Sequence, residues 1–348
     1  MPRDDVKGDG GPVTMATVAA RAGVSRQTVS NAINTPELLR PETLARVNAT
    51  IRELGYRPHR AARSLRTRSS RLIGYAVRPV AAAVPTPVLD RFLHALTESL
   101  DDAGYRVLLF PSPGGEEETG TYAELLREDS VDAFVLTNTV VGDRRQSWLH
   151  ERGIPFVAFG RAWGTRDAGD WVDVDGAHGT TAAVDHLVAR GHRHIAFLGW
   201  PEGSGVGDDR ARGWREALER HGLPSEGLRA RADGSIEAAA DAAHRLLDDT
   251  PATAVVAASD SLAMGCYRAL DARGEPPARL AVVGFDDAPF APLLRPSLTT
   301  LRQPLEFLGR ECVRLLLQRI GEPDAPDRHA LVAPELVVRD SSPAPPTA

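Results

Sequence analysis

The chain has 348 residues, 42% hydrophobic and 25% charged, enough for two or three globular domains of ordinary composition. It holds no uninterrupted apolar run of the roughly 18 residues that a membrane span needs, and its two cysteines, Cys266 and Cys312, are too few for a disulfide framework or a metal cluster. The net charge of −6 is uneven: residues 1–71 carry 13 basic and 6 acidic side chains, which leaves −13 on the rest, so a basic head with a polyanionic partner is expected on an acidic body.

Residues 1–12 are polar and glycine-rich, lack the apolar core of a secretory signal, and read as a disordered tail on a cytoplasmic protein. Lys7 is the only lysine, so basic surfaces here are arginine forks. Thr14 is placed to cap a helix over MATVAARA, with Met15, Val18, Ala19 and Ala22 at helical spacing and Gly23 at its end. Ser25 caps a second helix with Val29, Ala32 and Ile33 on its inner face. Asn34 and the segment NTPELLRP form a loop. Pro41 suits the first turn of a third helix, with a seam of Leu44, Val47, Ile51 and Leu54, and Gly55 terminates it.

Three short helices sharing one small core, the second following the first across a turn of about four residues, make a helix-turn-helix over residues 13–56. The second helix of that motif puts its N-terminal residues on base edges in the major groove. Arg26 can donate twice to guanine, Gln27 can pair with adenine, and Asn31 faces the same way one turn later. Ser25, Thr28 and Ser30 suit phosphate oxygens, and Thr14, Asn34, Tyr56 and Arg57 complete the candidates for DNA contact. A solvated polar helix face is the competing reading of the same residue types.

The next segment, GYRPHRAARSLRTR, decides between them. Ala61, Ala62 and Leu65 share an apolar face flanked by Arg60, Arg63, Arg66 and Arg68, the make-up of a minor-groove wedge. A helix of about ten residues with so small an apolar face is not stable alone, so it is expected to fold only on DNA or in a dimer. The stretches VTMATVAARAGVSRQTVSNAIN and PETLARVNATIRELGYRPHRAARSLRT resemble the lactose-repressor (LacI/GalR) family of bacterial transcription regulators over nearly all of residues 13–67. The resemblance implies that residues 57–69 are a hinge helix that enters the minor groove at the operator centre, with Leu65 as the wedge and Ala62 beside it. Thr17 departs from the family pattern, which has Asp there.

From residue 70 the pattern changes to short apolar runs alternating with amphipathic helical stretches. LIGYAV, RVLLF, DAFVLTN, PFVAFG, HIAFLGW, AVVAAS and LAVVGFDD read as strands. This alternation predicts parallel sheets covered by helices, in two similar lobes with a ligand cleft at the strands' carboxyl ends. The body, residues 70–340, resembles the same family's effector module, of periplasmic-binding-protein type I fold, through VDVDGAHGTTAAVDHLVARGHRHIAFLG, DDRARGWREAL, AVVAASDSLAMGCYRAL and LAVVGFDDAPFAPLLRPSLTTLRQP. That implies three crossings between lobes, with the helix LEFLGRECVRLLLQRI returning to the first. It also implies effector contacts at Arg210, Asp260 and Asp286, groups suited to a polyhydroxylated ligand such as a sugar. Asp260 also reads as a plain helix N-cap. Ser259 and Gly234 depart from sugar-binding relatives, which place Asn and a stacking aromatic nearby; Trp163 and Trp200 follow strands and are the candidates to supply that face, or to pack at its rim. The last residues, 341–348, read as a disordered tail.

The expected fold is therefore an all-α helix-turn-helix DNA-binding head plus an α/β two-lobed effector body. The expected function is a ligand-responsive repressor of carbohydrate-related genes, binding a near-palindromic operator as a homodimer. Its partners are double-stranded DNA and a sugar-like effector, with no cofactor, no metal and no membrane. A cytoplasmic sugar-binding protein without operator-specific regulation would carry the same body. An enzyme is disfavoured: Gly203, Gly205 and Gly207 do not match G-x-G-x-x-G, and no P-loop or G-x-S-x-G occurs.

Overall fold

The computed structural model describes residues 13–56, 69–78, 87–112, 118–164 and 169–345. The chain divides into two compact units, residues 1–70 and 71–348.

In the first unit, α1 spans Met15–Ala22, α2 Arg26–Asn34 and α3 Pro41–Glu53, with a short 3-10 turn at Pro36–Leu38. Thr14 and Thr17 cap α1 reciprocally, each side chain accepting from the other's backbone N–H. The family departure at Thr17 thus keeps the cap. Gly23 closes α1 in the left-handed region, φ 64°, which lets the chain turn directly into α2. Asn34 is the last residue of α2 rather than the start of the loop; its side chain donates to the Ser30 carbonyl at 2.6 Å and so extends the helix. Val18, Val29, Val47 and Tyr56 form the core, and Arg21 on α1 pairs with Glu53 on α3 at 2.6 Å.

The second unit runs β1 (Leu72–Val77), α4 (Pro87–Asp102), β2 (Arg106–Pro111), α5 (Glu118–Arg127), β3 (Ala133–Leu136), α6 (Arg144–His150), β4 (Phe156–Phe159) and β5 (Asp170–Val174). It continues with α7 (Gly176–Ala189), β6 (Ile195–Gly199), α8 (Val206–Arg220), β7 (Arg229–Arg231), α9 (Ile236–Asp249), β8 (Ala254–Ala257), α10 (Asp260–Ala272) and β9 (Ala281–Asp286). The last elements are β10 (Thr299–Arg302), α11 (Leu305–Gly321), β11 (His329–Val332) and β12 (Glu335–Val337).

Among the described residues two six-stranded sheets result, in the orders β11-β5-β4-β3-β1-β2 and β12-β10-β9-β8-β6-β7. Every pairing is parallel except β12 with β10. The chain crosses between sheets after β5, after β10 and between β11 and β12, which gives the three expected crossings. As expected, α11 returns to the first lobe and packs on α4, β4 and β5. Both cysteines are buried thiols.

One boundary is corrected. Residues 341–345 are not a free tail: Ser341 and Ser342 are each 1% exposed. Ser341 bonds Val282 and Thr299 through its hydroxyl and its carbonyl, and Ser342 bonds Thr299 and His186. His192 takes the Pro343 carbonyl on one ring nitrogen and Thr253 on the other, which makes it a structural tether. The composition of the segment hid this, because its hold on the body is polar and not apolar. Residues 1–12 and 346–348, the other expected tails, lie outside the described residues.

Candidate functional site

In the head, Ser25 fixes the start of α2 by accepting from the Thr28 N–H at 3.0 Å, and its hydroxyl lies 2.9 Å from that of Thr28. Arg26 and Gln27 are exposed in the first turn, and Gln27 donates to Asn31 at 2.9 Å, so these two amides share one helix face as the spacing required. Thr14 and Ser30 sit at the start of α1 and in the middle of α2, the latter half-buried. Tyr56 differs from expectation. Its ring is 7% exposed in the head core, so it secures the end of α3 rather than offering a free side chain to DNA. Arg57, Ala62 and Leu65 lie outside the described residues.

In the body, a cleft of about 620 Å³ opens at the carboxyl ends of both sheets. From one lobe it is lined by Tyr75, Asn138, Phe159, Trp163 and Asp173, and from the other by Trp200, Asp209, Arg210, Asp286 and Gln303.

Arg210 is the centre of this site. Its guanidinium lies 3.5 Å from the Phe285 ring centroid and 5.7 Å from that of Trp200. It donates to the Ala258 carbonyl and stands 3.9 Å from Asp286, while its Nε–H is buried with no protein partner. Burial lowers its pKa against the pull of Asp286, Asp173 and Asp209. Asp286 accepts from the Gln303 amide at 2.6 Å; burial raises it to about 6 despite Arg210. Its φ of 124° is a backbone strain held at the cleft wall.

Asp260 does not reach the cleft lining. It is 1% exposed and accepts from the Ala288 N–H at 2.7 Å and the Thr300 hydroxyl at 2.6 Å. Nor is it the N-cap of α10: Ser259 is, accepting from Leu262. Asp260 stands behind Asp286 and braces the wall, and burial first, then the Asp286 charge, push it to about 8.

Trp163 and Trp200 both line the cleft. Trp163, which follows β4 in the first lobe, rests on Gly205, which opens α8 in the second; a Cβ at Gly205 would lie 2.5 Å from the indole. The glycine loop is therefore the seat of an aromatic ring and not a phosphate cradle. Beside it Arg161, at 4.4 Å from the Trp163 ring, ties Asp173 at 2.8 Å to Asp209 at 2.9 Å across the lobes. Burial would lower Arg161, but the two carboxylates outweigh it and raise it, while burial raises Asp173. Sequence reading missed Arg161, Asp173, Asp209 and Gln303. The signal for two of them was an acid in the middle of a strand, VDV, and an acid beside Arg210.

Residues 14–59 match the family described as bacterial regulatory proteins, lacI family, and residues 184–342 match the periplasmic binding protein-like domain. The HTH-type transcriptional regulator CelR of Thermobifida fusca is 35% identical over 336 residues, 94% of this chain and 98% of that protein. A solved CelR–cellobiose complex superposes with a TM-score of 0.73 at 32% identity, covering 94% of this chain and 99% of that one. The lac repressor dimer bound to operator and the anti-inducer ONPF superposes with a TM-score of 0.84 at 28% identity, over 96% of this chain and 100% of that one. With a helix-turn-helix head, two parallel-sheet lobes around a cleft, and this likeness over nearly the whole chain, the protein belongs to the LacI family of bacterial transcription regulators.

Proposed function

We propose that the chain is a cytoplasmic, non-enzymatic repressor that binds a near-palindromic operator as a homodimer and is controlled by a sugar-like effector in the body's cleft. The observation that carries this is the joining in one chain of an α2 that presents Arg26 and Gln27 outward with a cleft built around Arg210. The relatives support each half: one is solved on operator DNA as a dimer, another with cellobiose. Arg26, Gln27 and Asn31 read bases; Thr14, Ser25, Thr28, Ser30, Asn34 and Arg57 hold the backbone, and Leu65 with Ala62 wedges the minor groove. Residues 57–69 act as the hinge. Arg210, Asp286, Trp163 and Trp200 contact the effector. Closure of the lobes on a ligand biases the hinge, and by linkage the operator changes ligand affinity by the same factor.

Fluorescence anisotropy on duplexes from the chain's own upstream region, at two salt concentrations and with a sugar panel, tests this. Specific binding that one compound shifts is expected. Absence of any specific site in a genome-wide selection refutes the regulator reading and leaves a sugar-binding protein. Arg26→Ala is expected to cost about 1–3 kcal/mol at the operator and to relax preference at one base of each half-site. Leu65→Ala is expected to keep nonspecific affinity while reducing operator bending, read by gel-shift phasing. A variant that bends DNA like the parent removes Leu65 from the wedge.

A further inference from the structure

The cleft's charge narrows the effector's chemistry, granted that the cleft is the effector site. Among the described residues five carboxylates line it, Asp90, Asp173, Asp209, Asp233 and Asp286, against two guanidiniums, Arg78 and Arg210. Arg210 already lies in the field of Asp286, Asp173, Asp209 and Asp260, and the nearby Arg161 is bound on both sides. A phosphate entering here would meet an excess of negative charge in a partly desolvated space.

The other habitual phosphate receptors of such folds are helix N-termini at the strands' carboxyl ends. Among the described residues five helices begin around this cleft; four have a side-chain acceptor on a first-turn N–H, and the fifth, α4, brings Asp90 into the lining from its first turn. Asp175 caps α7 at His178, and Asp209 takes the Ala177 N–H at 3.1 Å. Ser204 takes the Gly207 N–H at 2.9 Å, and the first turn of α8 itself carries Asp208 and Asp209. Ser235 and Ser259 cap α9 and α10.

The walls suit something else. Phe159, Trp163 and Trp200 give the lining aromatic surface, while Asn138, Gln303 and the carboxylates offer hydroxyl-directed partners. The cleft volume is about 620 Å³, within the range of pockets that take drug-sized ligands. One hexose, with about twelve non-hydrogen atoms, would leave much of that space wet.

We propose that the effector is an uncharged, unphosphorylated oligosaccharide of at least two sugar rings. The test is calorimetric titration of the full chain with cellobiose, maltose, trehalose and glucose, and with the 6-phosphates of cellobiose, trehalose and glucose. At least one neutral disaccharide is expected to bind at least tenfold more tightly than glucose. Every 6-phosphate is expected to bind at least a hundredfold more weakly than the best disaccharide. A phosphorylated sugar that matches or exceeds its neutral parent overturns the proposal, as does glucose equalling the best disaccharide. Silence from all four neutral sugars overturns it too. The operator titration without ligand then separates the two failures: specific DNA binding keeps the regulator reading while the effector class falls.

Discussion

Arg210→Ala is expected to abolish the effector response and to destabilise the body by about 3–5 kcal/mol, because it leaves the buried Asp286 without the guanidinium beside it. Four carboxylates act on this guanidinium: Asp286, Asp173, Asp209 and Asp260. They come from both lobes, so the loss is felt on both sides of the cleft. Its aliphatic stem also fills the space against Gly176, where even a Cβ would lie 2.9 Å from Arg210 Cγ. Alanine therefore opens a void as well as exposing charge. Arg210→Lys separates the two roles. It keeps a positive charge but loses the planar fork, which stacks on Phe285 at 3.5 Å while donating to Ala258. The lysine variant is expected to retain most of the thermal stability and still to lose at least a hundredfold in ligand affinity. Melting curves and ligand titration on the same samples check this. A lysine variant with parental affinity would reduce Arg210 to a structural counterion.

The head was almost wholly legible in sequence, since its information is local: caps at Thr14 and Ser25, a left-handed stop at Gly23 and apolar positions at helical spacing each act within a few residues. Tyr56 was misjudged because outward and inward aromatic residues look alike until the core is assembled around Val18, Val29 and Val47. In the body, the apolar strands announced themselves, whereas β5 did not. Its DWVDV carries two acids in a fully buried strand, and this is tolerated only because Arg319 meets Asp170 at 2.8 Å and Arg161 meets Asp173 at 2.8 Å. Those arginines lie far along the chain or in a loop, so no local pattern reveals the pairing. The same reason hid the cleft's inter-lobe ties. Arg161 to Asp209, Trp163 on Gly205, and Arg91 donating to the Asp287 carbonyl at 3.4 Å all join residues that only the two-sheet topology brings together.

Asp260→Asn is expected to reverse the body's loss of stability at alkaline pH. Asp260 has an ordinary pKa of 3.8 when unfolded and about 8 when folded, so between those values the folded chain holds a proton that the unfolded chain has released. By linkage, stability falls as pH rises through that window and the loss is complete above about pH 8. Asp286, raised to about 6, adds a loss of the same sign over the lower part of the window. The half-buried His186 and the buried His192, both lowered by desolvation, act in the opposite direction, each adding stability as pH rises toward neutrality. The informative quantity is therefore the difference between variant and parent at each pH. Asparagine keeps an acceptor for the Ala288 N–H, and its amide can donate to the Thr300 hydroxyl, which turns to accept. It carries no charge to expel. The variant is expected to melt within a few degrees of the parent at pH 5 and well above it at pH 8. Asp286 titrates in a lower range, where Asp260 is still neutral, so ligand affinity that depends on ionised Asp286 is expected to follow pH in the variant as it does in the parent. Parallel melting profiles from pH 5 to pH 8 would mean that Asp260 is ionised throughout, and the brace behind the cleft wall would then be a salt-bridged carboxylate in place of a neutral one.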